Sequence, residues 1–214
     1  MEIIDPGAES YAASYSSPES DLLKEIAAYT TAHHPEHHML SGHLQGKLLE
    51  MISMMIRPRR ILEIGTFTGY SAICLAKGLR PDGKLHTIEM RDNDADIASG
   101  FFKKAGLGDS IILHRGKAAA IIPLLDEQWD LVFIDADKTG YLEYFNLVLP
   151  KLSDNGFILA DNIYFHGQVL DNNPKGKHAK AISAFNRFVR ERTDIEKLVL
   201  TIRDGLFIIR KSLP

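Results

Sequence analysis

The sequence predicts an α/β fold: a doubly wound, mostly parallel sheet with helices on both faces. Three observations carry this. From residue 61 onward, short apolar and β-branched runs alternate with amphipathic helical stretches five times. The first run, residues 61–64, stops at Gly65, and four residues later Gly69 opens a helical pattern. Such a strand–turn–helix unit brings backbone close to a ligand. The chain then closes on two strand-like runs around Asp204-Gly205, a hairpin signature that adds an antiparallel pair.

The 214 residues, 45% of them hydrophobic, suffice for one well-buried domain spanning 1–214. Residues 1–16 are small, polar and aperiodic, and are expected to form a loose arm; residues 17–56 carry N-terminal helices. Ser17-Pro18 has the pattern of an N-cap with proline at the first helical position. Leu22, Leu23, Ile26 and Ala27 then give a helical stripe to about Thr31. His33-His34-Pro35-Glu36-His37-His38 follows. Its two His pairs at i, i+4 would suit a metal on a helix, but Pro35 stands inside both pairs, so a polar connector is expected. Over residues 41–56, Leu44, Leu48, Met51, Ile52, Met55 and Ile56 mark a helix face that belongs to the core or a subunit interface.

Beyond the opening strand, helices are expected over residues 70–79, 92–105 (capped by Asp92 or Asn93), 117–125, 139–152 and 178–192. Strands are expected over 85–89, 110–114, 129–135, 156–161, 197–202 and 206–210, with a loop at 162–177. The net charge of −3 lacks the basic footprint of a nucleic-acid binder. The acidic start lacks a signal-peptide pattern, and no apolar run approaches the roughly 18 residues of a membrane span. A soluble, cytoplasmic protein is expected. The one cysteine, Cys74, lies in an apolar run and reads as a buried structural thiol.

Four strands end in an acid: Glu63, Glu89, Asp135 and Asp161. In a parallel doubly wound sheet the carboxyl ends of the strands share one rim, where ligands bind. Carboxylates gathered there repel one another unless cations compensate. Glu89, at the end of the second strand, is placed to accept hydrogen bonds from ribose hydroxyls. The spacing Gly65-x-x-x-Gly69 lacks the central glycine of a dinucleotide loop, which disfavours NAD. An adenosine ligand with an amino-acid end, S-adenosylmethionine, fits better, its ammonium offset by Glu63 or Asp135. Asp135, Asp161 and Asn162 offer hard oxygen donors that suit Mg²⁺, Ca²⁺ or Mn²⁺ rather than structural zinc. Lys138, three residues past Asp135, can serve as a base beside such a cation. The plainer alternative is a helix-start acid followed by a solvated lysine, within a non-catalytic adenosine-binding protein. The joint presence of Asp135, Lys138, Asp161 and Asn162 argues for catalysis.

These motifs together, Met39, Leu62-Glu63-Ile64-Gly65-Thr66-Phe67-Thr68-Gly69-Tyr70-Ser71, Phe133-Ile134-Asp135-Ala136-Asp137-Lys138, Asp161-Asn162 and Asp204-Gly205, resemble the cation-dependent O-methyltransferases. The similarity is strongest to the caffeoyl-CoA O-methyltransferase type and weaker to catechol O-methyltransferase, and it spans about residues 39–211. It implies a Rossmann-like seven-stranded sheet of order 3-2-1-4-5-7-6 with the last strand antiparallel. It also implies that Ser41, Glu63, Gly65, Thr66, Ser71, Glu89, Ala118 and Asp135 line an S-adenosylmethionine site, with Gly116-Lys117-Ala118 beside the adenine. Asp135, Asp161 and Asn162 would hold the metal, Mg²⁺ foremost, and Lys138 would deprotonate the acceptor. Catechol O-methyltransferases carry a glutamate where this chain has Phe207, and the plant enzymes have Trp-Asn-Gly where it has Phe165-His166-Gly167. Met39, Phe165, His166 and Phe207 are therefore candidate acceptor contacts, with Tyr164 as a further wall. The acceptor implied is a small aromatic vicinal diol. The alternative is the hydroxylated wobble uridine of tRNA, and a homodimer is expected.

Overall fold

The structure, a computed structural model, describes residues 4–171 and 173–212. Where a loose arm was expected, Pro6–Tyr15 form a helix, α1. Asp5 accepts the Ala8 N–H at 2.9 Å, and Pro6 occupies the first turn. This helix buries none of its side chains, so its caps rather than packing define it. Residues 1–3 of the expected arm lie outside the described residues.

Helix α2 (Asp21–His33) is capped by Ser20, not Ser17, and turns Leu23, Ile26 and Thr30 inward. Helix α3 (Gly42–Ile56) buries Gln45, Gly46, Leu49, Ile52 and Ser53. Of the expected face, Ile52 is buried and Leu48 and Ile56 pack against the core, whereas Met51 and Met55, with Met54, are exposed. The physical reason is close approach. A Cβ on Gly46 would lie 2.6 Å from the Tyr70 ring, so the face against the next helix needs small residues rather than large apolar ones.

The alternating part follows the prediction closely: β1 (Arg60–Ile64), α4 (Tyr70–Ala76), β2 (Lys84–Glu89), α5 (Asp92–Lys104) and β3 (Ile111–Arg115). The N-cap of α5 is Arg91, with no side-chain cap, instead of Asp92 or Asn93. Helix α6 (Ala118–Ile121) gives way at Pro123 to a 3₁₀ turn, so the expected helix over 117–125 is shorter. Then come β4 (Trp129–Ile134), α7 (Tyr141–Val148) between two 3₁₀ turns, and β5 (Leu152–Asp161), which begins four residues before the expected start. Helix α8 (Lys177–Glu191), β6 (Ile195–Leu200) and β7 (Leu206–Lys211) complete the chain.

The sheet order is β3-β2-β1-β4-β5-β7-β6, with β7 antiparallel to both β5 and β6. Two cores cover its faces. One joins Leu62, Ile64, Val132 and Ile134 to Tyr141, Phe145 and Phe185 from α7 and α8. The other joins Ile61, Leu85, Leu131 and Phe133 to residues of α2 through α5. Cys74 is fully buried in the second, where burial pushes its thiol up to about 12. Strand order reverses between β1 and β4, and the crevice over their carboxyl ends is the switch point at which such sheets bind ligands.

Candidate active site

A cavity of about 920 Å³ opens at that rim. Gly65 closes its floor with φ 101, and a Cβ there would lie 2.1 Å from the Asp135 carbonyl oxygen. Only glycine permits the strand–turn–helix unit to pass this near β4. Three of the loop's N–H groups already have partners. Gly65 donates to the Ile88 carbonyl at 3.0 Å, Phe67 to Glu89 Oε2 at 2.8 Å, and Gly69 to the Thr66 carbonyl at 3.0 Å. What the loop presents instead is Glu89. Its carboxylate accepts from the N–H groups of Phe67, Met90 and Arg91 at 2.8–2.9 Å and lines the cavity. Two carboxylate oxygens offer about four acceptor positions, so with three taken, Oε2 keeps one for a ligand hydroxyl.

Glu63 is not in the crevice. On a strand, alternate side chains point to opposite faces, and Glu63 shares the face of Ile61, beneath α4. It is fully buried and accepts from Ser71 Oγ at 2.6 Å and Thr87 Oγ1 at 2.5 Å. Burial pushes its carboxyl up to about 8, against the pull of those two hydroxyls. It reaches the cavity lining through Ser71 and, by way of Thr87, through Thr66. Ser41, Gly65, Thr66, Ser71, Glu89, Ala118 and Asp135 all line the cavity.

Lys138 is the centre of the other end. Its Nζ donates to Asp135 Oδ1 at 3.0 Å, Asn162 Oδ1 at 2.7 Å and Tyr141 Oη at 2.7 Å. All three ammonium protons are thereby placed. Asn162 holds φ 54, a left-handed conformation that asparagine tolerates, just past the end of β5. Tyr141, fully buried, donates onward to the Asp161 carbonyl at 3.0 Å, tying the lysine to the ends of β4 and β5. Tyr141 and Tyr144 follow Lys138 at spacings of three and six on one helical face, a signal that could have identified both.

Asp161 is buried, and burial with the nearby Asp135 charge pushes its carboxyl up to about 6. Its Oδ2 accepts from Gln45 Nε2 at 2.6 Å, whereas its Oδ1 is buried without a hydrogen-bond partner. Among the described residues, no three His, Cys, Asp or Glu side chains are grouped to hold a metal. The expected set contains two carboxylates and one amide, all hard oxygen donors. The unpartnered Asp161 oxygen beside a second carboxylate fits a divalent cation.

Of the expected acceptor contacts, Met39, Phe165 and His166 line the cavity. Phe207 does not: it lies on the α8 face, its ring 6.2 Å from that of Phe185, because neighbouring strand residues alternate sides. Tyr164 packs instead against Gly205. The sequence reading assigned no site role to His38, Tyr144, His178, Arg203 and Asp204, which line the cavity from four separate segments. The histidine-rich connector has a structural role. His34 Nε2 meets Asp94 Oδ1 at 3.1 Å and its ring stands edge-on to Phe67, so residues 36 and 38–41 close one side of the cavity.

The crevice thus joins a carboxylate held by three N–H donors to an acid–lysine–amide cluster. The sequence profile of the O-methyltransferase family matches residues 13–212, and the chain belongs to that family. It is 35% identical over 160 residues to a catechol O-methyltransferase of Niastella koreensis, covering 73% of this chain and 72% of that one. It is 30% identical over 205 residues to caffeoyl-CoA O-methyltransferase 1 of Eucalyptus globulus, covering 90% and 82%. The S-adenosylhomocysteine-bound methyltransferase PaMTH1 of Podospora anserina superposes with a TM-score of 0.89 at 30% identity, covering 96% of this chain and 94% of that one.

Proposed function

We propose that this protein moves the methyl group of S-adenosylmethionine to a hydroxyl of an aromatic vicinal diol, catechol-like or hydroxycinnamoyl, with the help of a divalent cation. The observation that carries this reading is Lys138, held between Asp135, Asn162 and Tyr141 in the cavity that Glu89 also lines. The names of the catechol and caffeoyl-CoA relatives support the acceptor class.

Glu89, oriented by three N–H donors, receives a ribose hydroxyl. Gly116, Lys117 and Ala118 border the adenine. Asp135, Asp161 and Asn162 would hold the cation, which supplies Lewis-acid stabilisation of a diol oxyanion. With Asp135 and Asn162 turned to the cation, Lys138 would retain Tyr141 and, as the neutral amine after releasing one proton to solvent, would take the acceptor proton. Met39 and Phe165 wall the acceptor from water. Opposite charges vanish as oxyanion and sulfonium react, so in-line positioning in a dry site contributes much of the rate. The exposed Met51, Met54 and Met55 face of α3 supports a homodimer, testable by sedimentation of a Met51→Glu/Met55→Glu variant, which should remain monomeric.

The test is methyl transfer from labelled cofactor to a panel of catechols and to bulk tRNA, with EDTA and with Mg²⁺ restored. Labelling of catechols that EDTA abolishes and Mg²⁺ restores is expected. Labelling of tRNA alone, or of catechols regardless of EDTA, would sink the proposal.

A further inference from the structure

Below the acceptor cavity lies a buried relay that the transfer step does not use. Gln45 is a polar residue on the inner face of α3, only 1% exposed. Its Nε2 donates to Asp161 Oδ2 at 2.6 Å, and its Oε1 accepts from Arg203 Nη1 at 2.8 Å. Arg203 sits in the turn between β6 and β7 with φ 47, and it also donates to the Ser41 carbonyl. Three segments that are distant in sequence thus meet around one carboxylate.

The chemistry fixes the direction of the relay. Arginine has donors and no acceptor, so the amide oxygen of Gln45 must face it. The amide nitrogen is then forced towards Asp161, and Asp161 Oδ2 is pinned. The other oxygen, Oδ1, is buried with no partner. A buried carboxylate oxygen without a partner costs free energy, so an arrangement that leaves it open calls for a positive ligand. Gly46 makes the reach possible: with no Cβ to meet Tyr70, α3 comes close enough for its neighbour Gln45 to touch the end of β5.

We propose that Gln45, with its amide oriented by Arg203, is a positioning residue that holds Asp161 with one oxygen presented to a divalent cation. The inference rests on the reading of Asp135, Asp161 and Asn162 as the cation site. It adds that occupancy of the site depends on the β6–β7 turn through a side chain that never touches the metal.

The test uses the full-length protein and Mn²⁺, with binding followed by calorimetry and by the electron paramagnetic signal of the free ion. Gln45→Met keeps the volume and removes both hydrogen bonds. Loss of a partner behind a metal ligand weakens binding about 10–100-fold, and that loss is expected here with S-adenosylmethionine affinity within about twofold of the parent. Arg203→Met should weaken Mn²⁺ several-fold, and the double variant should be no worse than Gln45→Met alone, because both act through one relay. Parent-like Mn²⁺ affinity in Gln45→Met overturns the inference, as does a parallel loss of Mn²⁺ and cofactor affinity. Should Gln45→Met fail to fold, Arg203→Met decides: unchanged Mn²⁺ binding overturns the inference. A parent that binds no Mn²⁺ overturns the cation reading itself, and that result is distinct from a parent and variant that bind equally.

Discussion

Glu63 was expected at the ligand, yet it is sealed under α4, and this has a measurable thermodynamic consequence. Burial raises its carboxyl from an ordinary 4.5 to about 8. The folded chain therefore binds this proton more tightly than the unfolded chain. The associated stability is fully present below about pH 4.5, is lost as pH rises towards 8, and is flat beyond. At 1.36 kcal/mol per pH unit, with the curve levelling near pH 8, the loss between pH 6 and pH 9 is on the order of 2–3 kcal/mol. Glu63→Gln presents an uncharged amide to the same two hydroxyls, which can rotate to donate or accept. The variant should lose less stability over that range by roughly the same 2–3 kcal/mol. The assay is urea denaturation of the ligand-free protein at both pH values, read by circular dichroism. Parent and variant curves with the same pH dependence, within about 0.5 kcal/mol, would refute the claim that a buried, largely protonated Glu63 lies beneath the loop.

Lys138→Met should lower kcat by about 10²–10⁴-fold, because it removes the proton acceptor. Its S-adenosylmethionine affinity by calorimetry should stay close to that of the parent, and equal turnover on every active acceptor would remove the lysine from the mechanism. Gly65→Ala places a Cβ 2.1 Å from the Asp135 carbonyl at φ 101, so a loss of about 3 kcal/mol or more, together with cofactor binding, is expected from denaturation and calorimetry. His86 and His114 stack with Nδ1 to Nε2 at 3.0 Å, and burial holds both rings below their ordinary 6.5. Because the unfolded chain takes up protons first, stability falls as pH drops below about 6.5. His114→Gln should flatten that acid limb in a melting-temperature series.

What the sequence made legible is what repeats along it. The run 61–64, the glycines 65 and 69 and the acids at strand ends are local signals, and the order of the strands followed from resemblance to a family whose motifs recur here. Face and reach were less legible. Glu63 and Glu89 look alike in a strand-end pattern. Glu63 lies one residue before the end of β1 and points to a sheet face, whereas Glu89 is the terminal residue of β2 and is caught by the N–H groups that follow. Phe207 was read as a wall for the same kind of reason, one position along a strand being enough to send it to the opposite core. On α3, hydrophobicity favoured the methionines, while packing against Tyr70 selected Gly46 and its polar neighbours. The contact between Gln45 and Asp161 spans 116 positions and leaves no periodic trace.

The same geometry argues about the ligand by exclusion. A strand–glycine–helix turn is commonly an anion cradle because its N–H groups point outward. Here the N–H groups of Gly65, Phe67 and Gly69 are spent on Ile88, Glu89 and Thr66. A pyrophosphate brought to this loop would find those donors already used, and Glu89 and Asp135 in the cavity wall would repel it. A ligand that offers a hydroxyl donor to Glu89 and carries net positive charge on its sulfonium and ammonium meets the opposite situation. The Phe67 N–H bond that helps orient Glu89 also takes one loop donor away from phosphate. A nucleoside bearing a cationic side arm therefore suits this crevice better than a dinucleotide, and the acid cluster around Lys138 lies in the same cavity, ready to act on what that arm carries.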